Sequence, residues 1–171
     1  MNAPDFPALL QAFFTHRLLQ QRRASPHTVT AYRNTFRLLV RFAATRLGRP
    51  PFRLGIADLD AAFISQFLDH LERERGNCAR SRNARLAALH AFFRYVAVTE
   101  PVHALHCQRV LAIPTKRFER GVVEFLDDEE TKALLDAPAA CTWIGRRDRT
   151  LLLVAVQTGL RVSELTALRR Q

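Results

Sequence analysis

Three arginines, Arg33, Arg37 and Arg41, recur at every fourth position of a segment that favours a helix. Residues four apart share one helix face and are separated by about 6 Å along the axis, so the three guanidinium groups would form a stripe. A solvated helix face usually carries acids beside its bases, yet there is no Asp or Glu between Asp5 and Asp58. Because arginine forms paired hydrogen bonds with phosphate, the stripe predicts phosphate contact; the alternative is an ordinary solvated face.

A second basic cluster lies near the start of another predicted helix and consists of Arg80, Arg82 and Arg85. Ser81 and Asn83 are interleaved with these arginines, and the helix again contains no acid. Helix N-termini favour anions, and short polar side chains can reach the edges of bases. Two basic helices that lack acids indicate a nucleic-acid partner, and we expect it to be double-stranded DNA.

A third pattern is the octapeptide TGLRVSEL at residues 158–165, which follows the apolar run Leu151–Val156. The dipeptide Arg147-Asp148 precedes that run. In this context the octapeptide resembles the first active-site box of the tyrosine recombinases, the family that includes phage integrases and Xer-like proteins. Taken without the resemblance, Arg161 could equally be an ordinary arginine at the start of a helix.

The resemblance extends over essentially the whole chain. It includes the helix start with Ser25, Thr28 and Tyr32, the segment FLDDEETKALL at residues 125–135, and the octapeptide. It implies site-specific DNA breakage and rejoining, for integration or recombination, through a phosphotyrosyl intermediate and without a cofactor. By resemblance, Arg161 would clamp the reacting phosphate, while Glu164 and Gly159 would support the box.

The chain departs from the family pattern after the first box. The family's lysine, its His-x-x-Arg motif and its nucleophilic tyrosine all follow that box, whereas this sequence ends at Gln171. Its tyrosines, Tyr32 and Tyr95, precede the box and occupy packing positions of predicted helices. We therefore expect a truncated form that does not cleave DNA alone. A non-enzymatic DNA-binding regulator of a recombination site and a helical protein-interaction fragment remain alternatives.

The rest of the sequence is divided by residues that favour the starts and ends of helices. Helices are predicted over about residues 7–22, 26–47 and 78–98, the second of them starting at Ser25-Pro26. A further helix, capped by Asp58 or Asp60, is predicted to end at Gly76-Asn77. We expect an all-α architecture, with a four-helix SAM-like core-binding bundle at residues 4–99 and a linker at residues 100–119. Residues 120–171 would be the truncated, helical start of a mixed α/β catalytic domain, with the run Leu151–Val156 in the centre of a core.

Composition narrows the function classes further. The formal net charge is +10, and the longest uncharged apolar run has six residues, well below the roughly 20 that a membrane-spanning helix needs. We expect a cytoplasmic protein with DNA and further recombinase protomers as partners, and without a membrane or small-molecule partner. His103, His106 and Cys107 are close in sequence but lack a fourth ligand, so we expect no metal.

Overall fold

The computed structural model describes residues 5–119, 121 and 124–169. The chain divides into two compact units, residues 1–119 and residues 120–171. Every regular element in the described residues is a helix, which confirms the predicted all-α architecture.

The first element of the first unit is α1, Phe6–Ala12, which continues without a break as a π-helical segment, Phe13–Gln21. A single α-helix was expected here. The wider turn shows in the hydrogen bond from the Arg22 N–H to the Arg17 carbonyl, five residues back, at 3.0 Å. The chain then reverses through Arg23, whose φ of 45° lies in the left-handed region.

Three long helices follow: α2, Pro26–Leu47; α3, Ala61–Arg73; and α4, Ala79–Thr99. The Ser25 hydroxyl caps α2 by accepting from the Thr28 N–H, and the Asp60 carboxylate caps α3 by accepting from the Phe63 N–H. Short 3₁₀ turns occupy Pro51–Arg53, Ile56–Asp58 and Pro101–His103. The core is rich in aromatic rings that meet edge to face; those of Phe13, Phe36 and Phe92 form one group.

The stretch predicted as a linker, residues 100–119, contains a further helix, α5, Ala104–Leu111. Its Cys107 and Val110 side chains are fully buried in the core of the first unit, and Ile113 is nearly so. The linker prediction was therefore wrong for this part of the chain. Two prolines flank the helix and made the segment resemble a loop, while its packing against α4 supplies the stability that eight residues lack alone.

The second unit contains α6, Asp128–Asp136; α7, Trp143–Thr158; and the short α8, Val162–Leu165. Asp127 and Glu130 form a capping box at the start of α6, with backbone-to-carboxylate distances of 2.8 and 3.0 Å. The expectation that α7 lies in the centre of a core was wrong for the described residues. Its Leu151 and Leu153 side chains remain 39% and 46% exposed.

Candidate nucleic-acid interface

The arginine stripe of α2 forms as the spacing predicts. Arg33, Arg37 and Arg41 are all exposed, and none makes an ion pair with any residue that the structure describes. The opposite face of the same helix buries Phe36 and Leu39 in the core, which fixes the rotation of the helix and keeps the arginines outward. The result is a row of positive charge in which no guanidinium forms an ion pair with a described residue, although Asp69 and Glu74 line the same groove as Arg41.

Arg80 and Arg85 of α4 have different surroundings. Arg80 is exposed, and its guanidinium lies 5.4 Å from the centre of the Phe118 ring, a cation–π contact. Arg85 is half-buried and donates through Nη1 to the Ala31 carbonyl at 3.3 Å and to the Thr35 hydroxyl at 3.1 Å, both on α2. Arg85 therefore joins the two basic helices, while Arg80 remains accessible to a ligand.

Arg82 is buried, unlike Arg80, which argues against its predicted role as a DNA-binding residue. Its side chain is 6% exposed, and Nε lies 3.4 Å from the Glu72 carboxylate. Nη1 also donates to the Pro114 carbonyl at 3.5 Å. The Lys116 ammonium contacts the same Glu72 oxygen at 2.6 Å, so one carboxylate of α3 is shared by two cations.

Residues 114–118, here called the strap, run along the start of α4. Asn83 donates through its amide nitrogen to the Lys116 carbonyl at 2.7 Å and accepts from the Lys116 N–H at 3.0 Å. This paired contact occupies one of the two short polar side chains that were predicted to reach a base edge. No sequence signal identified the pair, because its members are 33 positions apart and neither belongs to a motif.

His106 and Cys107, which lie close to His103 in the sequence, have different surroundings in the fold. His106 lies within 3.2 Å of the Leu59 carbonyl through Nε2, and Cys107 is buried in the core. Burial raises the pKa of the Cys107 thiol, because the charged thiolate is poorly solvated there. Within the described ranges, no three His, Cys, Asp or Glu side chains are placed to hold a metal ion.

The octapeptide of the second unit forms a tight helix–turn–helix connection. Gly159 ends α7 in the left-handed conformation, with φ of 65°, which glycine adopts without steric cost. The Glu164 carboxylate accepts from the Arg161 N–H at 2.9 Å and lies 3.5 Å from the Arg161 guanidinium. Glu164 thus ties the start of α8 to Arg161, whose side chain is 83% exposed.

Both tyrosines of the sequence pack in the first unit. The ring of Tyr32 is stacked on Phe13, with a centroid distance of 6.4 Å and an interplanar angle of 8°. Tyr95 also contacts Phe13, at 5.7 Å between ring centroids. In the described part of the chain, no helix is both long enough and apolar enough to cross a membrane.

Comparison with known proteins gives one family. The model of the phage integrase N-terminal SAM-like domain matches residues 11–99. A Sinorhizobium fredii protein named as an integrase/recombinase is 57% identical over 95% of this chain and 49% of its own length. The tyrosine recombinases XerC of Pelotomaculum thermopropionicum and Xanthomonas campestris are 29% and 30% identical, over 86% and 98% of this chain.

The chain spans about half the length of the curated relatives that it matches. No solved structure matches it significantly. The segment matched by the family model contains the arginine stripe and the basic start of α4, so the similarity covers the candidate nucleic-acid interface. The chain belongs to the tyrosine recombinase family and carries the N-terminal SAM-like domain of the phage integrases.

Proposed function

We propose that this chain is the DNA-binding half of a site-specific recombinase, with residues 5–119 holding duplex DNA. The observation that carries the proposal is the exposed stripe of Arg33, Arg37 and Arg41, which has no acid partner in the described residues. Family membership favours this function over that of a protein-interaction fragment.

The fold supports phosphate binding by holding the cations at fixed positions. The stripe places charges about 6 Å apart on a rigid helix, so that more than one guanidinium can lie against the same phosphate backbone. Arg80 adds a further exposed charge at the start of α4, and the Arg85 bonds to α2 keep the two helices in one arrangement. These contacts position the protein on DNA without reading its sequence.

Arg161 has a separate role in the proposal. The complete family reaction builds charge on the oxygens of a DNA phosphodiester, and a guanidinium held in place stabilises that charge. In this chain the Glu164 contacts hold the backbone at Arg161, while its guanidinium remains exposed to a phosphate. In the assembled reaction, further recombinase protomers would be the protein partners of this chain.

The proposal is tested by measuring how duplex affinity depends on salt. The 171-residue chain should bind a 20-base-pair duplex with an affinity that falls steeply as salt rises, because phosphate binding releases counterions. In the variant R33Q/R37Q/R41Q the slope of log K against log salt should become shallower by about 2 to 3, near 0.9 for each lost contact.

The control is R53Q/R109Q/R117Q, which loses the same charge from three other exposed positions of the first unit. Its slope should stay close to that of the unmodified chain. Equal slopes for the stripe variant and the control, or an unmodified chain whose affinity does not depend on salt, would refute the proposal.

A further inference from the structure

A second cationic surface lies between the π-helical segment and the last two turns of α4. It is an open groove of about 780 Å³, with Arg17 and Arg22 from one side and Arg94 from the other. No Asp or Glu is among the described residues that line it. The groove between α2 and α3 also contains arginines, Arg41 of the stripe among them, but Asp69 and Glu74 line it too and lower its net positive charge.

The polar side chains that line this groove are mainly hydrogen-bond donors. Arg17 donates through Nη1 to the Gln21 side-chain oxygen at 2.8 Å, which holds the guanidinium and leaves the Gln21 amide N–H groups free to face a ligand. Arg22 and Arg94 are exposed and make no ion pair with the described residues. The Tyr95 ring adds a phenol at the same surface.

The backbone here is also unusual. Arg17 and Gln21 lie on the π-helical segment, a conformation that is rare and is frequently found at functional sites. Directly after it, Arg23 adopts φ of 45°, which is costly for a residue other than glycine. Both features bring the side chains on either side of the turn, Arg17 and Arg22, to one groove.

We infer that this groove binds a phosphate group. Three guanidinium groups without a competing carboxylate attract a dianion or a phosphodiester, and each can form paired hydrogen bonds with its oxygens. Two sources share this chemistry: the backbone of the duplex bound on the stripe, which rests on the proposed function, and a free nucleotide. The volume suits either a nucleotide or a segment of one DNA strand.

The test compares the variant R17Q/R22Q/R94Q with the control R53Q/R109Q/R117Q, both in the full 171-residue chain. The probes are a 20-base-pair duplex, measured by fluorescence anisotropy at several salt concentrations, and ADP, measured by calorimetry. We expect the groove variant to bind the duplex at least tenfold more weakly than the control, with a shallower salt slope, or to lose binding of ADP that the control retains.

The single substitution Arg94→Gln provides a second readout, because this exposed side chain makes no bond within the described fold and its loss should leave folding intact. It should weaken binding of the same probe by severalfold. If the groove variant matches the control for the duplex, and ADP binds neither the unmodified chain nor the control better than the variant, the inference is wrong.

The two proposals fail in different ways. Failure of the stripe variant to differ from its control would remove the proposed function, while the ADP measurement would still decide the groove. Conversely, the stripe variant can lose duplex affinity while the groove variant keeps it. The proposed function would then stand, and the ADP measurement alone would decide whether the groove binds phosphate.

Discussion

Arg33 and Arg82 carry the same side chain on neighbouring helices but have opposite roles in the structure. Arg33 is exposed on the outer face of α2, whereas Arg82 is 6% exposed and interacts with Glu72 and the Pro114 carbonyl. A guanidinium that is removed from water needs a charged or polar partner within the protein, and Glu72 supplies it. Burial therefore decides which arginines can contribute to a DNA-binding surface.

This difference gives a paired prediction at Arg82 and Arg80. Arg82→Gln should lower the free energy of unfolding by about 1–3 kcal/mol, since it leaves buried polar groups without their partner, and should leave the salt slope of DNA binding unchanged. Arg80→Gln should do the reverse, making the slope shallower by about 1 with little effect on stability. Urea denaturation and salt-dependent anisotropy measure the two effects.

The structural role given to Arg82 would be wrong if Arg82→Gln changed the salt slope of DNA binding while the urea midpoint stayed the same. Arg80 provides the matched comparison because both residues lie on the first turns of α4 and carry the same charge.

At the scale of elements, α5 and the strap extend the first unit beyond the segment that resembles a helical bundle in sequence. Cys107 and Val110 of α5 are buried, and the strap is fixed by the two hydrogen bonds between Asn83 and Lys116. The Glu72 contact with the Lys116 ammonium adds a third link. The chain is thus held to the first unit through residue 118 rather than leaving it after α4.

We predict that Asn83→Ala releases the strap. Losing two hydrogen bonds at a partly exposed site should lower the free energy of unfolding by about 1–2 kcal/mol. The freed backbone should also be cut by trypsin several times faster after Lys116 and Arg117, which mass spectrometry of the fragments would show. Gln108→Ala, an exposed position of α5, is the control and should leave the cleavage rate unchanged.

A cleavage rate for Asn83→Ala equal to that of the control would show that the strap is held by the Glu72 and Arg82 contacts alone. Trypsin suits the measurement because two of its cleavage sites, those after Lys116 and Arg117, lie within the strap itself.

At the scale of the whole molecule, the two units differ in how they bury apolar surface. The first unit has a continuous core that includes Phe13, Leu39, Phe67 and Phe92, all 2% exposed or less. In the described residues of the second unit, no large hydrophobic side chain is buried, and Trp143 is 67% exposed. Because apolar burial is the main favourable term in folding, stability should be concentrated in the first unit.

Hydrogen exchange of the 171-residue chain tests this expectation. Amides of α2, α3 and α4 should be strongly protected, while those of α6 and α7 should exchange at least tenfold faster, since local opening of the second unit exposes little additional apolar surface. Equal protection of both units in dilute solution would show that the second unit has a complete core of its own.

The sequence by itself determined the three long helices of the first unit, the cap at Ser25 and the cationic stripe, because these depend on local rules. Ser25 caps α2 at the predicted start, and the spacing of Arg33, Arg37 and Arg41 was enough to place them on one exposed face. The octapeptide with Arg161 and Glu164 likewise pointed to the family that the comparisons then showed.

Only the tertiary structure decided which basic residues are free and where the first unit ends. The fate of Arg82 depends on Glu72 and Pro114, which are distant in sequence, and the helix at Ala104–Leu111 is too short to be stable without the core that it covers. The groove with Arg17 and Arg94 joins residues from two helices that no sequence pattern relates. Such contacts arise from long-range packing, which local spacing does not encode.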